Sequence, residues 1–459
     1  MRLKQFKGKD VRGYMNFDIN FRESVTFLIG INGSGKTTVI KLLSGLLTPS
    51  FIDLTQIDYS EIQLVCDRLY DQSQIVISCK KESGKIILDY WDSIIRKHYT
   101  NSIPFVGEML NKKRVEMEMI NLDRINHSMM LFEETEVVGK IRELRTPLFL
   151  GLNRRIMEIN KLGFWERERV FSGPRRRRNL DFIFDAVDDA LSDIQEMFYD
   201  SVRQNARSQV SISDDFRKKI FAESFKVNKS ISIPIINYRD ELNLLEQRRE
   251  KLNMAISNLG IKDLSSQFSE FFDSIHNTLE TLSNTSSMDA SQGAANPEYM
   301  NALLDWMVNS AQIEKIDKII KYANDYSNSI QRLKEPIIRF KDSVNLFFKE
   351  GKKVIDVNEQ GDIIINIKDS RKRNSIYELS SGEKQLIVML AHLAFHKKNR
   401  RSSIFIIDEP ELSLHISWQE IFVDALLTAS PETQFIMATH APAILAKPER
   451  KEWCEDLSK

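Results

Sequence analysis

The sequence predicts an α/β fold, a sheet with helices, that is split in two by a long helical insertion. Three observations support this. A buried strand, a glycine-rich turn and a helix follow one another at residues 24–43, apolar strands return after residue 400, and residues 180–350 are helical in pattern with almost no glycine. The 459 residues suggest two or three structural units. We expect an N-terminal half of a head at 1–155, the insertion at 156–350 and a C-terminal half at 351–459.

Composition limits the location and the partners of the chain. Apolar residues make up 42%, charged residues make up 28% and the formal net charge is zero, so nothing in the balance favours bulk attraction to nucleic acid. The N-terminus lacks the apolar core of a secretory signal, and no run of about 18 apolar residues occurs. Three distant cysteines, Cys66, Cys79 and Cys454, form no metal-ligand spacing. We therefore expect a cytoplasmic protein with no membrane segment.

Short strands rich in β-formers are expected in the N-terminal half. They lie at Glu61–Val65, Gln74–Cys79 and Lys85–Tyr90, with a turn at Ser83-Gly84 between the last two, and a further buried strand is expected at 147–152.

The insertion carries apolar residues three to four apart on both sides of a small, polar stretch at 283–297. Two such seams around a loop are typical of an antiparallel helical hairpin with coiled-coil character. An ordinary helical bundle with buried stripes gives the same periodicity, so both interpretations stay open. After the insertion, the apolar segments 354–357 and 363–367 flank a polar turn and predict a β-hairpin.

The glycine-rich turn is the most specific motif in the chain. Residues 30–37, Gly-Ile-Asn-Gly-Ser-Gly-Lys-Thr, match GxxxxGK[ST] between a strand and a helix. Glycines let backbone N–H groups turn inward around phosphate oxygens, and the following helix points its positive end at the same anion. Lys36 adds charge at the β- and γ-phosphates, and the Thr37 hydroxyl ligates Mg²⁺. The motif predicts ATP and Mg²⁺ as cofactors, with Asn32, Gly33, Ser34, Gly35, Lys36, Thr37 and Thr38 as nucleotide ligands.

Two later strands end in candidate catalytic residues. Ile404–Glu409 is apolar and ends in two acids, so a buried strand can deliver Asp408 to the metal. Glu409 would then polarise the attacking water as general base. Phe435–His440 is a second apolar strand, and it ends in a histidine.

The segment Glu378–Gln385 is small and rich in hydroxyls, and it precedes a helical apolar run. A turn of this kind at a helix N-terminus can bind an anion. Ser380 followed by Glu383 also fits an ordinary capping box. The segment alone does not decide between the two.

The order of these motifs resembles the ABC ATPase family, and within it the SMC-like branch. Asp408-Glu409 looks like the Walker B pair, Glu411–His415 like the D-loop and His440 like the switch histidine. Leu379–Glu383 looks like the ABC signature, with Ser381 where glycine is more usual. The resemblance implies that two heads dimerise head to tail, so that the signature of one chain completes the ATP site of the other. The signature residues would be Ser380, Ser381, Gly382 and Glu383.

The same resemblance implies a Q-loop glutamine downstream of the P-loop. Gln56 and Gln63 both fit, and the sequence does not choose between them. It also implies ATP turnover, although the family includes slow ATPases and scaffolds that hold ATP.

The stretch 408–419 is similar to bacterial antiphage-defence ATPases of the overcoming-lysogenization-defect, Septu and PARIS types, which work with a nuclease. The resemblance covers roughly 1–155 and 350–446. In the overcoming-lysogenization-defect enzymes a Toprim nuclease follows on the same chain, whereas only 19 residues follow His440 here. The resemblance therefore implies a separate nuclease, of HNH type for Septu or Toprim type for PARIS. It further implies a homodimer through ATP-sandwiched heads, and a higher homo-oligomer.

The favoured hypothesis is an ATPase that scaffolds or regulates this nuclease. A DNA-repair or chromosome-associated ATPase acting directly on DNA is the alternative, and a transporter subunit is a third. Arg175–Arg178 is the densest basic run, and Arg154-Arg155 is a second basic pair. The Arg175–Arg178 run can contact a phosphate backbone or an acidic partner, or form a solvated loop. The Arg154-Arg155 pair can face the nucleotide site or lie on the surface.

Overall fold

The computed structural model describes residues 1–68, 73–104, 127–144, 148–150, 156–158, 181–226, 237–259, 265–285, 297–368, 373–395 and 404–458. The chain forms two compact units, one of residues 1–198 with 337–459, and one of residues 199–336. The domain limits at 155/156 and 350/351 stay predictions.

A mainly parallel six-stranded sheet carries the chemistry-bearing segments of the first unit. Its spatial order is β15-β3-β14-β13-β8-β9, and the pairs from β15 through β8 are parallel. The parallel direction brings the carboxyl ends of the strands to one edge. The strands are β3 (Val25–Ile29), β8 (Leu148–Leu150), β9 (Ile156–Glu158), β13 (Ile404–Asp408), β14 (Gln434–Ala438) and β15 (Cys454–Asp456).

A second six-stranded sheet is antiparallel, in the order β2-β1-β4-β5-β6-β7. The hairpin between β5 and β6 turns at Ser83 and Gly84, both with positive φ, as the predicted turn requires. The strands are β1 (Arg2–Val11), β2 (Met15–Asn20), β4 (Glu61–Asp67), β5 (Gln74–Glu82), β6 (Lys85–Asp92) and β7 (Lys97–Pro104).

Helices and a small sheet complete the first unit. The predicted hairpin forms between Lys353–Val357 (β10) and Ile363–Ile367 (β11), and Arg373–Asn374 (β12) adds a third strand. The helices that lie wholly in this unit are α1 (Lys36–Leu47), α2 (Phe51–Gln56), α3 (Glu136–Glu143), α8 (Ser381–Phe395) and α9 (Ile416–Ala429). Two long helices, α4 (Asp181–Ser224) and α7 (Pro297–Phe348), belong to this unit only up to residue 198 and from residue 337, respectively.

Buried polar bonds tie the two large sheets together. Gln434, at the start of β14, is fully buried. Its side chain accepts a hydrogen bond from the Leu3 N–H at 2.7 Å and donates to the Leu3 carbonyl at 2.9 Å. It also donates to the Arg22 carbonyl at 2.7 Å. Because unpaired buried amides are costly, these bonds fix the antiparallel sheet against the parallel one. The α1 helix, buried along Val39–Leu47, belongs to the same hydrophobic core.

The second unit forms a helical bundle, one of the two arrangements that the sequence left open, and the coiled-coil hairpin around 283–297 stays a prediction. Tyr238–Leu259 (α5), Ser265–Thr285 (α6) and the first part of α7 enclose a compact apolar core around Phe272, Leu279 and Trp306, as a bundle does. The parts of α4 and α7 that belong to this unit run antiparallel. Their contacts include Asn205 with Leu333, Ser213 with Tyr326, and Glu223 with Lys318.

The predicted fold class is therefore confirmed: an α/β head split in sequence by a long helical insertion. The basic residues 154–155 and 175–178 lie outside the described residues, as does most of the polar stretch at 283–297.

Candidate nucleotide site

The glycine-rich turn leaves β3 and enters α1 at the carboxyl edge of the parallel sheet. Gly30 and Gly35 have φ of +149° and +93°, values that L side chains rarely adopt. A Cβ at Gly30 would lie 2.5 Å from Ser34 Oγ, and a Cβ at Gly35 would lie 2.7 Å from Phe17 Cζ. The α1 helix begins without a side-chain cap and without an acid in its first turn. A positive helix end without a capping side chain suits a phosphate.

Lys36 is buried at the centre of this turn, with only 6% of its surface exposed. Its ammonium donates to the carbonyl oxygens of Gly30 at 2.8 Å and Ile31 at 3.2 Å. Burial lowers the pKa of Lys36, and the nearby carboxylates of Glu409 and Asp408 partly offset the fall. The side chain is thus desolvated and held inside the loop that would surround a phosphate.

Asp408 is the buried acid at the end of β13, with 3% of its surface exposed. Among the described residues neither of its carboxylate oxygens has a hydrogen-bond partner. Burial raises the pKa of Asp408 to about 6; the neighbouring Thr37 hydroxyl opposes the rise, although no hydrogen bond of normal geometry joins the two side chains. The buried Ser34 Oγ also lacks a partner among the described residues. Buried polar atoms are almost always satisfied, so these atoms point to a ligand.

A magnesium ion with a phosphate fits these atoms. Mg²⁺ prefers oxygen ligands and usually binds through one or two carboxylates together with substrate phosphates. Asp408 and Thr37 supply such oxygens beside the Lys36 ammonium. The described residues contain no group of three or more His, Cys, Asp or Glu side chains able to hold a metal ion. A metal at Asp408 would therefore take its remaining ligands from hydroxyls, water and a nucleotide.

Glu409 and His440 face each other at the same edge. Nε2 of His440 lies 4.0 Å from Oε1 of Glu409, and both side chains are about one-third exposed. Glu409 has φ of +50°, and its N–H donates to the Ala438 carbonyl at 2.9 Å. The left-handed backbone turns Glu409 out of the line of β13 and towards the end of β14. The predicted acid pair and histidine are thus brought together, because β13 and β14 are parallel neighbours.

The sequence of the chain matches a known protein family along most of its length. The AAA_15 family, an AAA ATPase domain, matches residues 1–445. The chain belongs to this family. Family membership implies that this AAA ATPase domain uses a nucleotide.

Individual relatives cover less of the chain. The Retron Vc95 probable ATPase of Vibrio cholerae serotype O1 biovar El Tor is 26% identical over 245 residues, which are 48% of this chain and 46% of that protein. The match therefore spans about half the length of this curated relative. The energy-coupling factor transporter ATP-binding protein EcfA1 of Lactobacillus delbrueckii subsp. bulgaricus is 44% identical over 57 residues, which are 12% of this chain and 20% of that protein.

Solved structures of SMC heads align over most of the chain at low similarity. The Smc head domain with a coiled coil and joint from Pyrococcus yayanosii has a TM-score of 0.37 and 14% identity, covering 97% of this chain and 93% of that one. The SMC head domain from Thermotoga maritima has a TM-score of 0.36 and 12% identity, covering 97% and 92%.

The signature-like segment forms the capping box at the start of α8. The Ser380 N–H and hydroxyl donate to Oε2 of Glu383 at 2.9 and 2.8 Å, and the Glu383 N–H is 3.4 Å from Ser380 Oγ. The other Glu383 oxygen accepts from Lys353 at 2.7 Å, and hydrogen bonds from Lys353 and Ser380 hold the pKa of Glu383 below its usual value despite its burial. Ser381 is exposed and Gly382 is partly exposed. The capping role is therefore present, and the signature role stays a prediction.

The two candidate Q-loop residues lie in different elements. Gln56 ends the short α2 helix. Gln63 lies inside β4, where it pairs with Lys7 of β1 and Ser78 of β5. Neither position decides the assignment, which stays open.

Glu411 is a site residue to which sequence reasoning gave no individual role. Its Oε1 accepts from the His440 N–H at 2.7 Å, and its Oε2 accepts from the Thr439 hydroxyl at 2.9 Å. The negative charge of Glu411 also contributes to the raised pKa of Asp408, and it opposes the lowering of the Lys36 pKa by burial. The D-loop resemblance included Glu411, but no motif indicates these bonds.

The segment after residue 453 was also missed. Strand β15 pairs in parallel with β3, opposite Phe27–Ile29. The Ser458 hydroxyl then accepts from the Ile31 N–H at 3.0 Å, and the Leu457 N–H donates to the Ile29 carbonyl at 2.9 Å. This AAA ATPase domain therefore supports its glycine-rich turn from the outside with residues 457–458. In the part of the chain that the structure describes, no helix has the length and apolar character needed to cross a membrane.

Proposed function

We propose that the chain binds Mg²⁺–ATP at this edge and hydrolyses it slowly to ADP and phosphate. The observation that carries the proposal is Asp408, a buried carboxylate with both oxygens unpartnered among the described residues, next to the Lys36 ammonium. A magnesium ion bound there would neutralise phosphate charge and orient the phosphates.

Each residue has a distinct task in this proposal. The turn from Gly30 to Thr37 presents its N–H groups to the phosphates, with Lys36 adding a positive charge. Contact with the γ-phosphate draws the Lys36 ammonium away from the two carbonyls it now contacts. Glu409 accepts a proton from the attacking water as general base. His440, across from Glu409, donates a hydrogen bond to the γ-phosphate region, where negative charge must be stabilised.

We further propose that two heads close on ATP as a head-to-tail homodimer. Leu412 and Ile416, next to the acid pair, are 57% and 64% exposed. Large apolar side chains exposed beside a polar site are typical of a contact surface. The exposed Ser380 and the partly exposed Gly382 at the start of α8 would meet the nucleotide of the partner chain. Higher homo-oligomers would form through the helical unit.

The biological role that we propose is antiphage defence, with ATP-bound heads scaffolding or restraining a separate nuclease of HNH or Toprim type. The motif resemblance to Septu and PARIS ATPases supports it. The similarity to a protein named as the probable ATPase of a retron also supports it. The match to a transporter ATP-binding protein covers only 12% of this chain and does not favour transport.

ATP binding and turnover test the first part of the proposal. Isothermal titration with Mg²⁺–ATP should show binding that is lost without Mg²⁺ and in Asp408→Ala. Phosphate release should be measurable for the parent and reduced in Glu409→Gln. A parent chain that binds no ATP would overturn the assignment of this edge.

Native mass spectrometry of the chain co-expressed with its flanking genes tests the second part. A higher-order assembly that holds a nuclease-like protein is expected. A bare homodimer that appears only with ATP would contradict the scaffold role and favour an ATPase acting directly on DNA, for which DNA-stimulated hydrolysis is the next measurement.

A further inference from the structure

Three hydrogen bonds join the turn after β13 to the end of β14. The Glu409 N–H donates to the Ala438 carbonyl at 2.9 Å. The Glu411 carboxylate accepts from the Thr439 hydroxyl and from the His440 N–H. The acid that would activate water and the histidine opposite it are therefore held by one short bonded frame.

Thr439 anchors this frame to the strand that carries the phosphate-binding turn. It is 1% exposed, and its N–H donates to the Leu28 carbonyl of β3 at 3.3 Å. Its hydroxyl donates to Glu411 and accepts from the Ala441 N–H at 3.0 Å. The bonds on both sides of His440 fix its backbone, so they determine the direction in which the imidazole leaves the chain.

We infer that Glu411 is a positioning residue, whose carboxylate holds the backbone of His440 so that the imidazole faces Glu409 and the reacting phosphate. The inference rests on the proposed hydrolysis of ATP at this edge.

A carboxylate suits this task better than an amide does. Both Glu411 bonds are accepted from donors, one of them a backbone N–H that cannot reverse its role. Glutamine can turn its oxygen to the His440 N–H only by turning its NH₂ to the Thr439 hydroxyl, whose own proton then loses the acceptor that Glu411 provides. Glu411→Gln should therefore retain part of the geometry, and Glu411→Ala should lose both bonds.

A double-mutant cycle on the full chain tests the inference. Displacing a catalytic group by about 1 Å can cost on the order of 100-fold in rate. We expect kcat for ATP hydrolysis to fall about 10- to 100-fold in Glu411→Ala, with little change in KM. If Glu411 acts through His440, the double variant Glu411→Ala/His440→Ala should be no slower than His440→Ala alone.

Two further comparisons separate positioning from loss of fold. Thr439→Val removes the hydroxyl at nearly constant shape, and Thr439→Ser keeps it, so kcat should fall more in the valine variant. Glu420→Ala is the matched control, because this exposed glutamate on α9 makes no side-chain bond to the described residues. It should behave as the parent does.

Each outcome is informative. Independent effects, in which the double variant loses the product of the two single losses, overturn the inference while ATP hydrolysis stands. A Thr439→Val variant as active as Thr439→Ser overturns it as well, even if Glu411→Ala does not fold. A parent without ATP hydrolysis overturns the proposed turnover itself.

Discussion

Replacing Asp408 with asparagine should stabilise the nucleotide-free protein while abolishing its binding of Mg²⁺–ATP. Burial raises the pKa of Asp408 to about 6, from the value near 4 that an aspartate has in water. A shift of about 2 units corresponds to about 3 kcal/mol, at 1.36 kcal/mol for each unit. Above pH 6 the folded protein carries that cost as an ionised, unpartnered carboxylate. Asparagine is nearly the same size as aspartate and carries no charge. Like the protonated acid, it has polar atoms that need hydrogen-bond partners, so the difference in stability between the two proteins reports the cost of the charge.

The pH dependence follows from the direction of the shift. Because the folded state holds the Asp408 proton more tightly than the unfolded state does, this group favours folding below about pH 4. That contribution is lost as the pH rises through about 6. The stability advantage of Asp408→Asn should therefore be near zero at the acid end of this window and reach its full size above it.

Thermal unfolding in EDTA, without nucleotide, measures the effect as a difference in Tm between variant and parent at several pH values from 4 to 8. A gain of several degrees at neutral pH is expected. Asp356→Asn is a suitable control. Lys341 lowers the pKa of the Asp356 carboxyl, so replacing that carboxylate should not stabilise the fold. A variant less stable than the parent at neutral pH, or a pH-independent difference, would refute the reasoning.

Three further substitutions probe the site. Lys36→Ala should abolish ATP binding in isothermal titration, because the only ammonium buried inside the described turn is removed. Glu409→Gln should keep ATP binding, slow hydrolysis by roughly 100-fold or more, and trap the dimer in light scattering. Gly35→Ala should lower both stability and ATP affinity, because the new Cβ would lie 2.7 Å from Phe17 and the backbone φ is +93°. Gly13→Ala is its control: φ there is +82° and no atom lies within 4 Å of the new Cβ, so this variant tests the backbone strain alone.

Different results would contradict each of these expectations. Normal ATP affinity in Lys36→Ala would exclude the turn as the phosphate site. Hydrolysis at the parental rate in Glu409→Gln would remove Glu409 as general base. Equal losses of stability in Gly35→Ala and Gly13→Ala would show that crowding by Phe17 contributes nothing.

Local motifs were predictable because they depend on neighbouring residues. The strand, turn and helix around Gly30–Thr37 lie where the sequence predicts them, and the Ser380–Glu383 box forms as its spacing allows. The sequence also places Asp408 and His440 at strand ends. It does not reveal that β14 lies between β3 and β13, the arrangement that brings these ends together.

Contacts between distant positions account for what the sequence could not provide. Glu411 bonds residues 28 and 29 positions away, and Gln434 bonds Leu3 across 431 positions. Neither pair leaves a periodic pattern in the chain. The three-residue strand β15 is too short for alternation to mark it. The signature-like segment shows a different limit, since the same pattern of residues fits a helix cap and a nucleotide contact equally well.

The pairing of β15 with β3 offers an optical way to watch the nucleotide arrive. Cys454 lies opposite Phe27 on β3, three residues before Gly30, where the glycine-rich turn begins. Cys66 and Cys79 are buried, and burial raises the pKa of each thiol to about 12. Burial also raises the pKa of the Cys454 thiol, but this residue is partly exposed and so within reach of a reagent. A thiol-reactive dye should therefore label Cys454 first. Its emission would report movements of the turn in the unmodified sequence, with no cysteine added or removed.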